Sequence, residues 1–501
     1  MRRRLRTFFR GVAEPVQLKF MDEVEDAFRS GAQVVVGSAP VAFGKTLIED
    51  AVARWAMAKS GLGCHGAIVC HPNNALVKQY HDACPSFSVL HRKDSYKCVS
   101  GQELSCVDRA QEMGAYCKTH GPRQKWDPQL CPYLQDLRTA QGGGTPLTSN
   151  YHIYLAHKLM NSRDFFIADE AHLLPAIIAG ARATSLWRPV HGWTTSLYDA
   201  EDVKRWLTDE VPHEDIDNSR ALQLAWDVLV KGHPGYTVTC DTASYRNKED
   251  VERVLITPLD VRSLAQMWFP AGGAQRLLLL SATISKYEVG DLGLDTRVVH
   301  YLRGGSRIPE DRRPLVYVPV ANMTASVRAR NLHAIRKFIE DISCPSGPHA
   351  GQKGLVHMPY KLAAEFRELV DGDPRYAFHG HTDKGAVLRR WYETAPDSDV
   401  GTILVGSGMY EGLNLAEELA RWQVLTVTPR PSLGDPANRH MYRYDRPRYN
   451  WLTVRDLVQG YGRVCRGPTD MGTTYIVDTS SREVLRSDMF RDLLPLEVSG
   501  L

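Results

Sequence analysis

Gly44, Lys45 and Thr46 close the stretch "APVAFGKT" at 39–46, and their order is that of a phosphate-binding loop. A lysine ammonium there reaches the β- and γ-phosphates of a nucleotide. A threonine hydroxyl holds Mg²⁺, and a glycine lets backbone N–H groups approach closely. The chemistry needs a strand, a short loop and a helix in succession, so that the positive helix end faces the anion. "AQVVVG" before the loop and "LIEDAVARW" after it supply both elements. The front of the loop is irregular. Ala39 stands where G-x-x-x-x-G-K-[ST] begins with Gly, Ala42 fills another frequent glycine position, and Val41 and Phe43 are unusual. Ala42 is tolerable there if its backbone stays in an ordinary region. Phe43 is expected to turn away from the phosphates.

A nucleotide site also needs a carboxylate at the end of a second buried strand. "FFIADEAH" provides Asp169, to hold Mg²⁺, and Glu170, to polarise the attacking water. Far downstream, "QGYGRVCR" carries Gln459, Arg463 and Arg466. Cations so placed stabilise charge on a transferring phosphoryl group. Taken singly, each group has a plainer reading, as an acidic helix start or a solvated arginine face. Their order along one chain favours the site.

The chain that must position these groups has 501 residues, 43% hydrophobic and 24% charged, with 61 basic against 58 acidic side chains. That is ordinary globular usage, with length for about two to four domains. A net charge of +3 leaves a nucleic-acid partner open, since a local basic stripe matters more than the total. The basic start "MRRRLRTFFRGVAEP" reads as a short arm, because no apolar run of export-signal length follows it. No stretch nears the ~18 apolar residues of a membrane span. A soluble, cytoplasmic or nucleoid-associated protein with no membrane partner is expected, with its ten cysteines reduced.

Strand-like runs alternate with amphipathic stretches up to residue 90, and again beyond the linker-like "LRGGSRIPEDRRP" at 302–314. The pattern predicts α/β architecture with parallel sheets in two halves. Residues 91–150 break the rhythm, and 176–265 read as an inserted helical unit. Cys98, Cys106, Cys117 and Cys131 fall in the first break, with 7, 10 and 13 residues between them, unlike the paired C-x-x-C of zinc ribbons. Cys64, Cys70 and Cys84 have weaker claims, buried cysteines being mostly small hydrophobes.

"APVAFGKT", "DEAH", "SAT" (281–283), "GSGMYEGLNL" and "QGYGRVCR" occur in the order of motifs I, II, III, V and VI of superfamily 2 helicases, which the chain resembles. "LHRKDSYKC", "CPYL" and "TSNYHIYL" narrow the resemblance to the XPD/DinG-type DNA helicases. The resemblance covers nearly the whole chain and implies two RecA-like P-loop domains. The first would span 1–90, 141–175 and 266–310, with a Cys-rich cluster insertion at 91–140 and a short helical Arch-like insertion at 176–265. The second would span 311–501.

The resemblance also implies that Cys98, Cys106, Cys117 and Cys131 bind a [4Fe–4S] cluster beside a pore for single-stranded DNA. Zinc and unligated core cysteines remain open as rivals. It implies ATP hydrolysis with Mg²⁺ and 5′-to-3′ movement on single-stranded or forked DNA by a monomer. Arg463 and Arg466 would reach the γ-phosphate, Glu411 and Gly412 would serve the nucleotide from motif V, and Gln17 would sit near the adenine. Asn414 replaces the usual motif V Asp. DNA contacts are expected from Asn73 and Gln79, from Arg92, Lys93, Tyr96 and Lys97, and from the Arg/Tyr-rich stretch 429–451. That stretch holds Arg430, Arg439, Tyr442, Arg443, Arg446, Arg448 and Tyr449. Repair, replication and nucleic-acid-guided defence are all compatible settings. A different reading, a nucleic-acid-binding effector subunit with a decayed ATPase, draws on the missing motif I glycines.

Overall fold

Continuous apolar runs, as opposed to alternating ones, mark strands covered on both faces. Val34–Ser38 (β1), Ala67–His71 (β2), Phe165–Asp169 (β5) and Arg276–Ser281 (β9) are such runs. In the computed structural model they are four of the five inner strands of a seven-stranded parallel sheet, ordered β10-β1-β9-β5-β2-β4-β3. Ser88–Leu90 (β3), Leu147–Asn150 (β4) and Val299–Arg303 (β10) complete it. The structure describes residues 3–40, 42–97, 131–157, 163–233, 235–245, 248–270, 275–379, 384–396, 398, 400–407, 415, 417–467 and 469–501.

The chain forms two compact units. One comprises Met1–Ala39, Gly44–Gly304 and Asp435–Ala437; the other comprises Pro40–Phe43, Gly305–Gly434 and Asn438–Leu501. In the first, helix α1 (Pro15–Arg29) starts with Pro at its first turn and a reciprocal capping box between Glu14 and Gln17. Helices α2 (Lys45–Met57), α3 (Asn74–Ala83), α4 (Pro132–Gly142) and α5 (Tyr151–His157) follow. The basic N-terminal arm is part of this packing. The Leu5 amide donates to buried Glu25 at 2.6 Å, Arg4 pairs with Asp22 at 3.2 Å, and Arg10 reaches buried Asp50 at 3.5 Å. Its positive charge therefore faces acidic groups of the same unit.

The insertion at 176–265 departs from the helical expectation. Helices α7 (Ala200–Asp209), α8 (His213–Asn218) and α9 (Arg220–Leu229), downstream of α6 (Leu174–Arg182), accompany a three-stranded antiparallel sheet of order β6-β8-β7. Its strands are Thr184–Trp187 (β6), Tyr236–Tyr245 (β7) and Lys248–Pro258 (β8). "TVTCDTASY" alternates with period two, the signature of a half-covered strand, and Leu186, Val238, Val254 and Ile256 turn inward on Trp193, Trp206 and Leu207.

The second unit holds another all-parallel sheet, ordered β13-β14-β12-β15-β16-β11-β17. Its strands are Leu315–Ala321 (β11), Gly354–His357 (β12), Tyr376–Phe378 (β13), Ile403–Gly406 (β14), Trp422–Leu425 (β15), Thr473–Asp478 (β16) and Val498–Ser499 (β17). Helix α10 (Leu332–Ser343) buries Leu332, Ile335, Ile339 and Ile342 along one stripe. Helices α11 (Tyr360–Leu369), α12 (Lys384–Glu393), α13 (Pro436–Tyr444) and α14 (Arg446–Tyr461) follow.

Candidate functional site

Parallel strands deliver their following loops to one edge, where α/β proteins bind ligands. In the first unit, neighbouring strands β1, β9, β5 and β2 end there on Ser38, Ser281, Asp169 and His71; Ser38 is in register with Ser281. The loop after β1 brings Lys45 to the acids at the end of β5. Its Nζ lies 2.6 Å from Glu170 Oε1 and 3.9 Å from Asp169 Oδ1. Burial works against the Lys45 charge, but Glu170 and Asp169 outweigh it and hold the ammonium above its ordinary value. Burial likewise opposes both carboxylates. His71 and Lys45 hold Asp169 below its ordinary value, and Lys45 does the same for Glu170. An ammonium flanked by two ionised carboxylates, at the start of a helix, can exchange those partners for phosphate and Mg²⁺. Thr46 follows in the first turn of α2.

The acids are held in turn. His71 Nδ1 lies 3.1 Å from Asp169 Oδ2, and the Glu170 amide donates to Asp169 Oδ1 at 2.9 Å. Tyr151 donates to the Asp169 carbonyl at 2.7 Å. Ser281 donates to Glu170 Oε2 at 3.2 Å, and His172 Nδ1 lies 2.7 Å from the same Ser281 hydroxyl. The "SAT" and "DEAH" stretches are thus bonded through side chains. His71 and Glu49 escape sequence reading. Glu49, four residues after Lys45 on α2, is buried on the same face. Burial, then the neighbouring Asp169, push its carboxyl well above the ordinary range. The i, i+4 spacing from Lys45 was the available signal.

Left-handed residues occur along the phosphate loop and at the end of β5. Gly44 has φ 82°, Ala42 φ 62° and Glu170 φ 49°. The left-handed conformation is ordinary for Gly44 and unfavourable for the other two. The condition set for Ala42, a backbone in an ordinary region, is therefore not met. Phe43 is buried. Val41 lies outside the described residues, as do Glu411, Gly412 and Asn414. Gln17 is buried, with its carboxamide oxygen accepting from the Glu14 amide at 2.9 Å, a helix-capping role.

In the second unit, Gln459 and Arg463 lie buried on and just after α14. Arg463 donates to the Gln459 carbonyl at 3.1 Å and to its side-chain oxygen at 3.2 Å. Arg466 is fixed through its backbone, whose amide donates to buried Asp470 at 2.7 Å. Asp470 also accepts from the Glu417 amide and pairs with Arg421 at 2.9 Å. Cys465, between the two arginines, is left-handed at φ 67°. Beneath this segment, Gln423 donates to the Gly460 and Tyr461 carbonyls, and its oxygen lies 3.0 Å from His357 Nε2.

Of the four expected cluster ligands, Cys98, Cys106 and Cys117 lie outside the described residues. Cys131 is a free thiol, half-buried at the N-terminus of α4. Cys64, Cys70 and Cys84 are buried, and burial raises each thiol, to about 11 for Cys64 and Cys84, as expected of small core residues. Among the described residues no group of three or more His, Cys, Asp or Glu side chains could hold a metal ion directly.

The expected nucleic-acid contacts divide. A pocket of about 770 Å³ in the first unit is lined by Asn73, Arg92, Lys93, Asn150, His152 and His157, among others. Asn73 caps α3, and Gln79 and Lys97 are exposed. Tyr96 is buried instead, donating to Asp136 at 2.8 Å and packed on Tyr133, so its ring supports the pocket wall. In the second unit Arg446 stacks 3.8 Å over Tyr442 and 5.6 Å from Tyr449. Tyr449 is buried and donates to Pro431. Arg430 donates to the Ser480 carbonyl and Arg439 to that of Leu433. Tyr444, 74% exposed and 4.7 Å from His440, is an available stacking surface that the sequence reading omitted. Arg443 and Arg448 belong to the adjoining helices.

Residues 356–495 match the family model described as "Helicase C-terminal domain". Among solved structures, one named "XPD_Helicase" superposes with a TM-score of 0.60 at 15% identity, covering 97% of this chain and 98% of that one. The fold is that of XPD helicases. A second such structure, S. tokodaii Xpd4, gives a TM-score of 0.58 at 13% identity over 97% and 98% of the two chains. A third, "XPD_APO", gives 0.58 at 14% identity over 97% and 99%. No curated protein sequence matches significantly. The two parallel sheets are those of two RecA-like helicase domains.

Proposed function

We propose that this protein is an ATP-dependent helicase or translocase acting on single-stranded or forked DNA. The observation that carries the reading is the convergence of Lys45, Asp169 and Glu170 at one sheet edge, tied through Ser281 to His172. Bound Mg²⁺ would offset charge on the β- and γ-phosphate oxygens. Lys45 would release Glu170 to reach those phosphates, and Glu170 would orient the attacking water. The water oxygen would bond to the γ-phosphorus as the bond to the β–γ bridging oxygen breaks, giving ADP and phosphate, with the water's proton released to solvent. Arg463 and Arg466 supply cations to the γ-phosphate in this reading, and Glu411 and Gly412 serve the nucleotide. Differential affinity for two arrangements of the RecA-like domains then moves the DNA contacts.

Movement from 5′ to 3′, a [4Fe–4S] cluster on Cys98, Cys106, Cys117 and Cys131, and DNA as the polymer rest on the sequence resemblance. Repair, replication or a nucleic-acid-guided defence complex could use such an activity in the cytoplasm. Among the described residues no helix is long and apolar enough to cross a membrane. The test is ATP hydrolysis with and without single-stranded DNA, using Lys45→Ala as control. Stimulated, Lys45-dependent turnover is expected. DNA binding without turnover would favour the other reading, an effector subunit with a decayed ATPase, which the left-handed Ala42 supports.

A further inference from the structure

Helix α13 and the turn into α14 form a basic, aromatic surface on the second unit. Residues 430–448 hold five arginines against two aspartates, an excess equal to the net +3 of the whole chain. Both aspartates are engaged by backbone amides. Asp435 accepts from the Ala437 amide at 2.7 Å, and Asp445 caps α14 by accepting from that of Arg448 at 3.3 Å. Arg439 donates to the Leu433 and Gly434 carbonyls, and Arg446 lies over the Tyr442 ring, so their partners are neutral. On α13, Arg439 and Arg443 are four residues apart, as are His440 and Tyr444, which sets two exposed rows side by side. The Tyr442 face is taken by Arg446 at 3.8 Å, and its ring meets Tyr449 edge-on at 5.0 Å. Tyr444 is 74% exposed, with His440 4.7 Å away, and its ring is available to a ligand. A protein interface centres on an apolar core depleted in charge. Arginines interleaved with an open ring fit phosphates and bases instead, and only a single strand exposes its base faces.

We propose that α13 is a single-stranded DNA site in which Tyr444 stacks on a base while Arg439, Arg443 and Arg446 contact phosphates. Arg446, already held against the Tyr442 and Tyr449 rings, loses less side-chain freedom on meeting a phosphate. Residues 438–448 belong to one compact unit, so this site holds a strand without nucleotide at Lys45. The proposal rests on the DNA-translocase reading above, and the experiment separates the two. The full-length chain, Tyr444→Ala, Tyr444→Phe and Arg443→Gln are titrated against fluorescent oligo(dT), without nucleotide, over a range of salt. A second labelled strand of the same length is abasic throughout, keeping the phosphates and removing every stacking face. Polyglutamate serves as the competitor that mimics an acidic protein, and ATP hydrolysis is measured on the same samples.

Tyr444→Ala should bind oligo(dT) about five- to a hundredfold more weakly, the loss of one stacked base, and should bind the abasic strand as the parent does. Tyr444→Phe, which keeps the ring, should match the parent on both. Arg443→Gln should weaken both strands and lower the slope of log affinity against log salt by about 0.7. Because Tyr444 is exposed, its variants should fold as the parent does. Unchanged oligo(dT) binding by Tyr444→Ala, or equal losses on the two strands, overturns the proposal. Polyglutamate competing as well as unlabelled oligo(dT) assigns the surface to an acidic protein and overturns it too. The expected losses without Lys45-dependent hydrolysis uphold the site and overturn the translocase reading. A parent that binds neither strand overturns both.

Discussion

Ala42 offers the most direct test of how the phosphate loop is built. An L-residue with a Cβ is disfavoured in the left-handed region by roughly 1–2 kcal/mol. At φ 62° Ala42 carries that penalty in the folded chain. The conformation is imposed by its neighbours. The Phe43 amide donates to the Pro40 carbonyl at 3.2 Å, and Arg307 donates to the Ala42 carbonyl at 3.2 Å. Glycine removes the penalty but loses about 0.4–1 kcal/mol through the greater freedom of its unfolded state. The balance for Ala42→Gly is a stabilisation of roughly 1 kcal/mol, or about 2–4 °C in melting temperature for a domain of a few hundred residues. Ala42→Val should move the other way, because a β-branched side chain suits this region even less. Thermal melts of the three proteins at one pH, without nucleotide, measure both. A glycine variant no more stable than the parent, together with a harmless valine, would refute the argument that the loop is held left-handed.

Phe43→Ser should lower stability by about 3 kcal/mol or more, as truncations of buried aromatics do, without tightening ATP binding; tighter binding in an equilibrium titration would mark Phe43 as an obstruction instead. His357, buried against Gln423, is pushed down to about 4, burial being the main cause. From an unfolded value near 6.5, its stabilising contribution is complete above 6.5 and lost as pH falls toward 4. That is about 3 kcal/mol at 1.36 kcal/mol per pH unit. The parent should therefore lose stability over this interval in pH-dependent denaturation, and His357→Gln should lose less. Asp470→Ala should cost about 1–3 kcal/mol, since it removes the acceptor of the Arg466 and Glu417 amides while Arg421 keeps Glu418, and should blunt ATP turnover by loosening Arg466; full activity at full stability would contradict that. Protein purified without oxygen should absorb near ~400 nm and contain iron, and Cys131→Ser should reduce both; a colourless, zinc-containing protein would exclude the cluster.

The two parallel sheets and the Lys45–Asp169–Glu170 constellation were legible because they rest on local patterns. A buried parallel strand is a continuous apolar run, and the polar residue ending it announces the loop that carries chemistry. "VVVGS", "FFIAD" and "RLLLLS" all read that way. The antiparallel sheet at 184–258 was obscured because its strands carry Thr, Asp and Ser on the outer face. The helices between them, with a strong 3.6-residue stripe, dominated the reading. Tyr96 and Tyr449 show a second limit. Aromatic residues interleaved with arginine have the composition of a base-stacking surface, yet both phenols find partners inside the protein.

His71 and Glu49 show why a site outruns its motifs. Each lies outside the phosphate-loop motif: His71, on β2, bonds Asp169, and Glu49, on α2, has Asp169 among its electrostatic neighbours. The motif names the groups proposed to meet phosphate and metal. The fold decides what keeps those groups charged and oriented in the absence of ligand, and that depends on strand order. His71 reaches Asp169 because β2 lies beside β5, although 98 residues separate them. Ser281 reaches Glu170 because β9 lies on the other side. The acids are therefore braced from both neighbouring strands of one unit. On this argument a substitution at His71 should disturb the Asp169 end of the site while leaving the Ser281–His172 link intact. His71→Ala should then weaken Mg²⁺-dependent nucleotide binding more than Ser281→Ala does; equal losses from the two would mean that the acids respond as a single block.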